Sequence, residues 1–209
     1  MRRGGGHLSA MERLARLMPP HEGAGDEIDW DAVTTGWGTR FPLSYREFMR
    51  TYGEGSIEKY LGVLAPDLKM EVDVVQGMSF ETRNARGLWL ETRQEEKPAE
   101  IHGDSLIAWG VDSSGDLLCW ETSCEDPEQW PIVVFRRQGA PHWATYPDGV
   151  SDFLLKTFRC EFDDNPLSGT DLWGVSAPRF LHWRAEERSW ERGIDPWTGE
   201  PDPYSGMFG

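Results

Sequence analysis

No apolar run in this chain approaches the roughly 20 residues needed to cross a bilayer, so the pattern predicts no membrane span. The N-terminal Met1-Arg2-Arg3 has the positive start of an export signal but lacks the apolar stretch that must follow it, and the expected location is the cytoplasm. Cysteine is scarce. Cys119, Cys124 and Cys160 are an odd number, and the first two have four residues between them rather than the two of zinc knuckles and redox pairs. They are read as reduced, structural thiols.

Signals for chemistry are missing as well. The five histidines are scattered, with no H-E-x-x-H helix and no His or Cys cluster, so no metal and no cofactor is expected. Gly36-Trp37-Gly38 and Gly53-Glu54-Gly55 lack the rest of a dinucleotide fingerprint, and Ser176 in GVSAP lacks the second glycine of a nucleophile elbow. Asp112-Ser113-Ser114-Gly115-Asp116 resembles a calcium loop only at first sight, because the chain runs straight into apolar Leu117-Leu118-Cys119-Trp120 where further oxygen ligands are needed. No catalytic residue is assigned, and the expectation is a binding protein.

What the chain does have is acid. The net charge is −15, from 21 basic and 36 acidic side chains. Residues 26–160 carry −11 of it, and from Lys97 to Arg136 eight acids (Glu100, Asp104, Asp112, Asp116, Glu121, Glu125, Asp126, Glu128) stand without an intervening Lys or Arg. Phosphate backbones repel such a surface, which argues against nucleic acid, whereas a basic protein would be attracted from a distance. Asp112, Asp116, Glu121, Glu125, Asp126 and Glu128 are the candidate contacts for that basic partner.

Aromatic residues, at 12% with 11 Trp, supply a core. Ser9 and Glu12 form a capping box for a helix over Ser9–Met18 that Pro19-Pro20 ends. Residues 21–27 read as a linker, and Trp30 opens a short helix ending near Gly36 or Gly38. Over Arg40–Gly55 the spacing of Tyr45, Phe48, Met49 and Tyr52 predicts a core-facing helix, with Ser44 and Glu47 as capping box, Leu43 and Phe48 as hydrophobic staple, and Gly53 or Gly55 as left-handed cap. Ser56–Leu64 reads as a strand, and Met78–Arg93 as a helix. Leu106–Thr122 reads as a hairpin turning at Gly115, Trp130–Arg137 as a buried strand, Trp143–Tyr146 as a short or edge strand, and Asp148–Arg159 as a helix. A last helix is expected from Ser176 or Pro178 through Phe180, Trp183 and Trp190 to Gly193, followed by a Gly/Pro-rich tail whose Trp197, Tyr204 and Phe208 dock on the main body. This order predicts an α+β fold rather than a doubly wound sheet.

Taken together, Trp30, the segment GTRFPLSYREFMRTYGEGSI, LIAWGVDSSGDLLCW, WPIVVF and DGVSDFLLKTF resemble the SUKH superfamily over about residues 28–160. The family's signature positions fall on Trp30, Gly38, Pro42, Tyr45, Gly53, Gly55, Trp109, Gly110, Asp112 and Gly115, with Phe41 in place of the more usual Leu and Ser44 where Asp is common. The resemblance implies a single α+β domain, a mixed and mostly antiparallel sheet with helices mainly on one side, flanked by residues 1–27 and 161–209. It also implies a non-enzymatic role: an immunity protein that binds a cognate toxin, often a nuclease, or alternatively an interaction scaffold or regulator. Trp30, Tyr45, Phe48, Trp109 and Trp120 are expected in the core.

Overall fold

A computed structural model describes residues 8–67 and 77–203. Six helices and seven strands follow one another as α1 (Ala10–Leu17), α2 (Trp30–Trp37), α3 (Leu43–Thr51), β1 (Gly55–Ile57), β2 (Leu61–Val63), α4 (Met78–Glu91), β3 (Leu106–Asp112), β4 (Leu117–Glu121), β5 (Ile132–Phe135), β6 (Trp143–Tyr146), α5 (Val150–Phe158), β7 (Phe180–His182) and α6 (Trp183–Glu191). The strands form one sheet in the order β6-β5-β4-β3-β2-β1-β7. Its pairings are all antiparallel, so the expected sheet is present without a parallel pair.

The sheet divides two cores by the two-residue side-chain period of its strands. Leu118 and Trp120 of β4 and Ile132 and Val134 of β5 face α1, α2, α3 and α5, where Leu14, Val33, Tyr45, Phe48, Val150 and Phe153 are buried. Leu117, Cys119, Val133 and Phe135 face the other way, covered by Ala85 and Trp89 of α4 and by Trp143. Burial pushes the Cys119 thiol well above its ordinary value, as fits a structural thiol. Trp109 sits at a bulge between Ala108 and Gly110, and its ring meets Trp120 at 6.0 Å and Phe153 at 6.3 Å.

Local signals succeed where the chain closes its own hydrogen bonds. Ser9 and Glu12 form the reciprocal capping box of α1, and Gly38 ends α2 at φ +71°. β6 is an edge strand with the expected bounds. Tyr45, Phe48, Trp109 and Trp120 are buried, as expected. Trp30 is only half-buried: one side meets Phe41 and Tyr45, each with centroids 6.1 Å away, and the Arg46 guanidinium lies 5.0 Å over its ring.

Three local expectations are corrected. First, α3 begins at Leu43 with Pro42 as its cap residue, so Ser44 lies inside the first turn and makes no cap, and Leu43 is 56% exposed rather than stapled to Phe48. Second, Ser56–Leu64 is a hairpin, not a strand. Its turn residues Glu58 and Lys59 hold φ of 52° and 56°, a left-handed conformation that usually requires Asn or Gly and costs about 1–2 kcal/mol per residue. Third, Phe180 lies on β7 and the last helix starts only at Trp183, because Phe180–His182 pairs with β1, a long-range contact with no local trace.

The C-terminal segment joins the same core through Leu167, Leu172 and Phe180, and Trp197 is 9% exposed, so this part of the tail docks. Trp183 and Trp190 remain 43% and 41% exposed, while Tyr204 and Phe208 lie outside the described residues. Two glycines allow this docking. A Cβ at Gly55 would overlap the carbonyl oxygen of Leu181, and one at Gly53 (φ +77°) would lie 2.5 Å from Asp26 Oδ2. Replacing Trp109 by Ala removes a fully buried indole between sheet and α5 and is expected to cost about 3–5 kcal/mol in denaturant-induced unfolding. An unchanged midpoint would contradict its place in the core.

Candidate protein-binding surface

The six candidate acids separate into two groups of different physical character. Asp112, at the end of β3, is 5% exposed, and its Oδ1 accepts from the N–H groups of Ser114 (2.8 Å) and Asp116 (2.9 Å), building the turn in which Gly115 has φ +82°. Burial, with Asp116 nearby, raises its pKa above the ordinary carboxylate value. Asp116 is fully buried. Its Oδ1 accepts from the N–H of Arg137 (2.8 Å) and the hydroxyl of Ser168 (2.7 Å), and its Oδ2 from the N–H of Ser168 (2.6 Å).

Glu121, 5% exposed, accepts from the Ser123 hydroxyl at 2.7 Å. These three carboxylates are therefore withdrawn from the predicted contact surface. Donors replace lost hydration at Asp112 Oδ1 and at both oxygens of Asp116, supplied by the turn itself, Arg137 and the C-terminal segment, whereas Asp112 Oδ2 and Glu121 Oε1 are buried without a hydrogen bond. That segment presses closely on the hairpins, since a Cβ at Gly169 would overlap the Tyr60 hydroxyl.

Glu125, Asp126 and Glu128 are exposed and lie together on the connection between β4 and β5. Asp126 caps the short 3-10 turn Pro127–Gln129, accepting from the N–H of Glu128 at 3.2 Å and from the Gln129 amide at 3.0 Å. Glu128 reaches across to α3, where its Oε1 accepts from the N–H of Leu43 at 2.6 Å. It supplies the cap that Ser44 does not, and a carboxylate at that position also complements the positive helix end. The contact joins residues 85 positions apart, so the local pattern around Ser44 could not disclose it.

Around this junction the surface is concave. A groove of about 400 Å³ runs between Pro42, Trp120, Pro127, Glu128, Trp130 and Asp148, and a second of about 520 Å³ is lined by Glu27, Ile28, Trp30, Leu43, Arg46 and Glu47. Leu43 and Arg46 also line the smaller hollow beside Asp126 and Glu128. Exposed carboxylates here flank an exposed Leu and the edges of two Trp rings, the combination a protein partner can use for both encounter and anchoring. The sequence signal that could have found Leu43 is its place directly after Pro42, outside the helical stripe of Tyr45, Phe48 and Met49.

Among the described residues no group of three or more His, Cys, Asp or Glu side chains could hold a metal ion, and no helix is long and apolar enough to cross a membrane. Of the signature positions, Gly38 and Gly53 take positive φ, Gly55 lets β7 approach, and Gly110 packs tightly, with its Cβ direction 3.2 Å from the Gly62 carbonyl oxygen. Tyr45 donates its hydroxyl proton to the carbonyl of Leu64. These positions hold the fold.

A family model described as SUKH_6, SMI1-KNR4 cell-wall, matches residues 29–154. No curated protein matches, and no solved structure matches. The match stops before the segment that carries Ser168, β7 and α6. If Asp116 is a structural anchor, Asp116→Ala leaves the N–H groups of Arg137 and Ser168 without partners, at about 1–3 kcal/mol each. Chemical denaturation of the purified variant measures this, and wild-type stability would return Asp116 to the list of contact residues.

Proposed function

The chain belongs to the SMI1-KNR4 cell-wall (SUKH) family, and from that premise we propose that it is a non-enzymatic immunity protein that binds a basic toxin domain, such as a nuclease, and occludes it. The observation that carries this is the charge: −15 overall, with Glu125, Asp126 and Glu128 exposed beside grooves that present Leu43 and Trp30. A nuclease must be basic to hold a phosphate backbone, so an acidic inhibitor competes for the same field. The proposed location is the cytoplasm, where the substrate of such a toxin lies.

Binding in this scheme divides its labour. Exposed carboxylates accelerate encounter, while Leu43 and Trp30 in the groove supply the lasting contact. A second role, as an interaction scaffold or regulator without a toxin, is favoured by one separate observation: Trp183 and Trp190 stand half-exposed on α6, away from the acidic connection and beyond the residues that the family model matches.

The test is recovery of the tagged chain from its native host with its bound protein, followed by assay of that protein with and without the chain. A basic toxin silenced by one equivalent supports immunity, whereas a partner whose activity is unaffected supports the scaffold. With the toxin in hand, the variant Glu125→Gln/Asp126→Asn/Glu128→Gln keeps one acceptor oxygen at each position, including the one that caps α3, and removes three charges. Its association should be about tenfold slower at low salt and less salt-sensitive than wild type, because the screening length is only about 8 Å at physiological ionic strength. Equal rates and equal salt slopes would place the contact elsewhere.

A further inference from the structure

Where β7 meets α6, two imidazoles both serve as hydrogen-bond acceptors for the backbone. His182, with its side chain 1% exposed, accepts at Nδ1 from the N–H of Arg184 (3.1 Å) and thereby caps α6. Its proton therefore sits on Nε2 and is donated to Asp26 Oδ1 at 3.0 Å. The N–H of His182 in turn donates to Nε2 of His21 at 3.0 Å, which leaves the His21 proton on Nδ1, 2.9 Å from the Glu22 carbonyl oxygen. Each ring is satisfied in one neutral tautomer only. A second proton on either ring would point at a backbone N–H.

We propose that this junction is an acid-released latch: protonation of His182 frees β7 and α6 from the 21–27 linker and from β1, leaving β1 as an open sheet edge. The His182 ring is closely packed against the conflict, since even a Cβ added at Gly53 would lie 2.6 Å from its Cδ2. What faces the pair is known from each side. The linker contributes Asp26. From α6 comes Arg184, whose guanidinium lies 2.9 Å from Asp26 Oδ1, and between α3 and β1 Glu54 donates its N–H to Asp26 Oδ2 at 2.7 Å.

Asp26 attracts an imidazolium, but it already holds Arg184. Burial prevails over that attraction and lowers the pKa of His182 below the ordinary 6.5. A histidine whose folded-state pKa is depressed contributes stability that is fully present above its unfolded value and is lost as pH falls below it. Release thus belongs to the mildly acidic range. The consequences are local: the cap of α6 is lost, and β1 offers its free backbone groups to another strand.

Backbone amide exchange in the full chain tests this at about pH 7.5 and about pH 5, comparing the amides of His182, Trp183 and Arg184 with that of Leu64, which donates to the Trp109 carbonyl in the middle of the sheet. The ratio cancels the chemical pH dependence of exchange. It should rise about tenfold or more in acid for wild type. It should stay constant for His21→Gln/His182→Asn, whose amide oxygens keep both acceptor roles and do not titrate. A constant ratio in wild type, or the same rise in the double variant, would overturn the latch. Should that variant fail to fold, nitrogen NMR of the wild-type rings decides: a His182 carrying its neutral proton on Nδ1, or charged at neutral pH, excludes the mechanism.

Discussion

A carboxylate removed from water must be met by donors, and in this acidic chain that requirement shapes the fold. Asp116 gathers the N–H groups of Arg137 and Ser168 and the Ser168 hydroxyl, so one buried side chain joins the β3–β4 turn, the chain just after β5 and the C-terminal segment. Asp26 does the same at the other end of that segment with Glu54, His182 and Arg184. Burial disfavours its ionised form, but these donors prevail and hold its carboxyl below the ordinary value. Between these two anchors the C-terminal segment lays β7 against β1 and supports the strained Glu58-Lys59 turn, with Glu58 Oε1 accepting from the N–H of Arg179 and Lys59 paired with Asp195.

The remaining exposed charge is what the proposed partner would meet. The turn acids are consumed internally, and the exposed acids of the 98–135 window that remain beside the start of α3 are Glu125, Asp126 and Glu128 on the connection between β4 and β5. Glu128 serves both purposes, capping α3 through one oxygen while remaining exposed. Any substitution there has to separate loss of the cap from loss of charge, and for that reason amide replacements are more informative than Lys.

Much of the architecture was legible in the sequence because its determinants are local. The α1 capping box, the apolar stripes of α3 and α5, the Gly115 turn and the apolar runs of β4 and β5 depend on neighbours within a few residues. What was not legible depends on distant partners. No local rule links Leu43 to Glu128, Gly55 to Leu181 or Asp116 to Ser168. The candidate site suffered most from this, since an Asp beside a turn glycine has the same sequence appearance whether it faces water or a backbone donor 52 residues away. The hairpin over Ser56–Leu64 escaped notice for a related reason: its two turn residues are charged, and the support for their left-handed backbone comes from the C-terminal segment.

The division of the acids into buried anchors and an exposed contact surface is tested most directly by an amide-exchange footprint of the chain bound to its partner. Protection is predicted over residues 125–128 and at the start of α3, with the amides of residues 112–116 and of Ser168 unchanged from the free protein. Protection centred on residues 112–116 and 165–170, with the 125–128 connection unaffected, would contradict it.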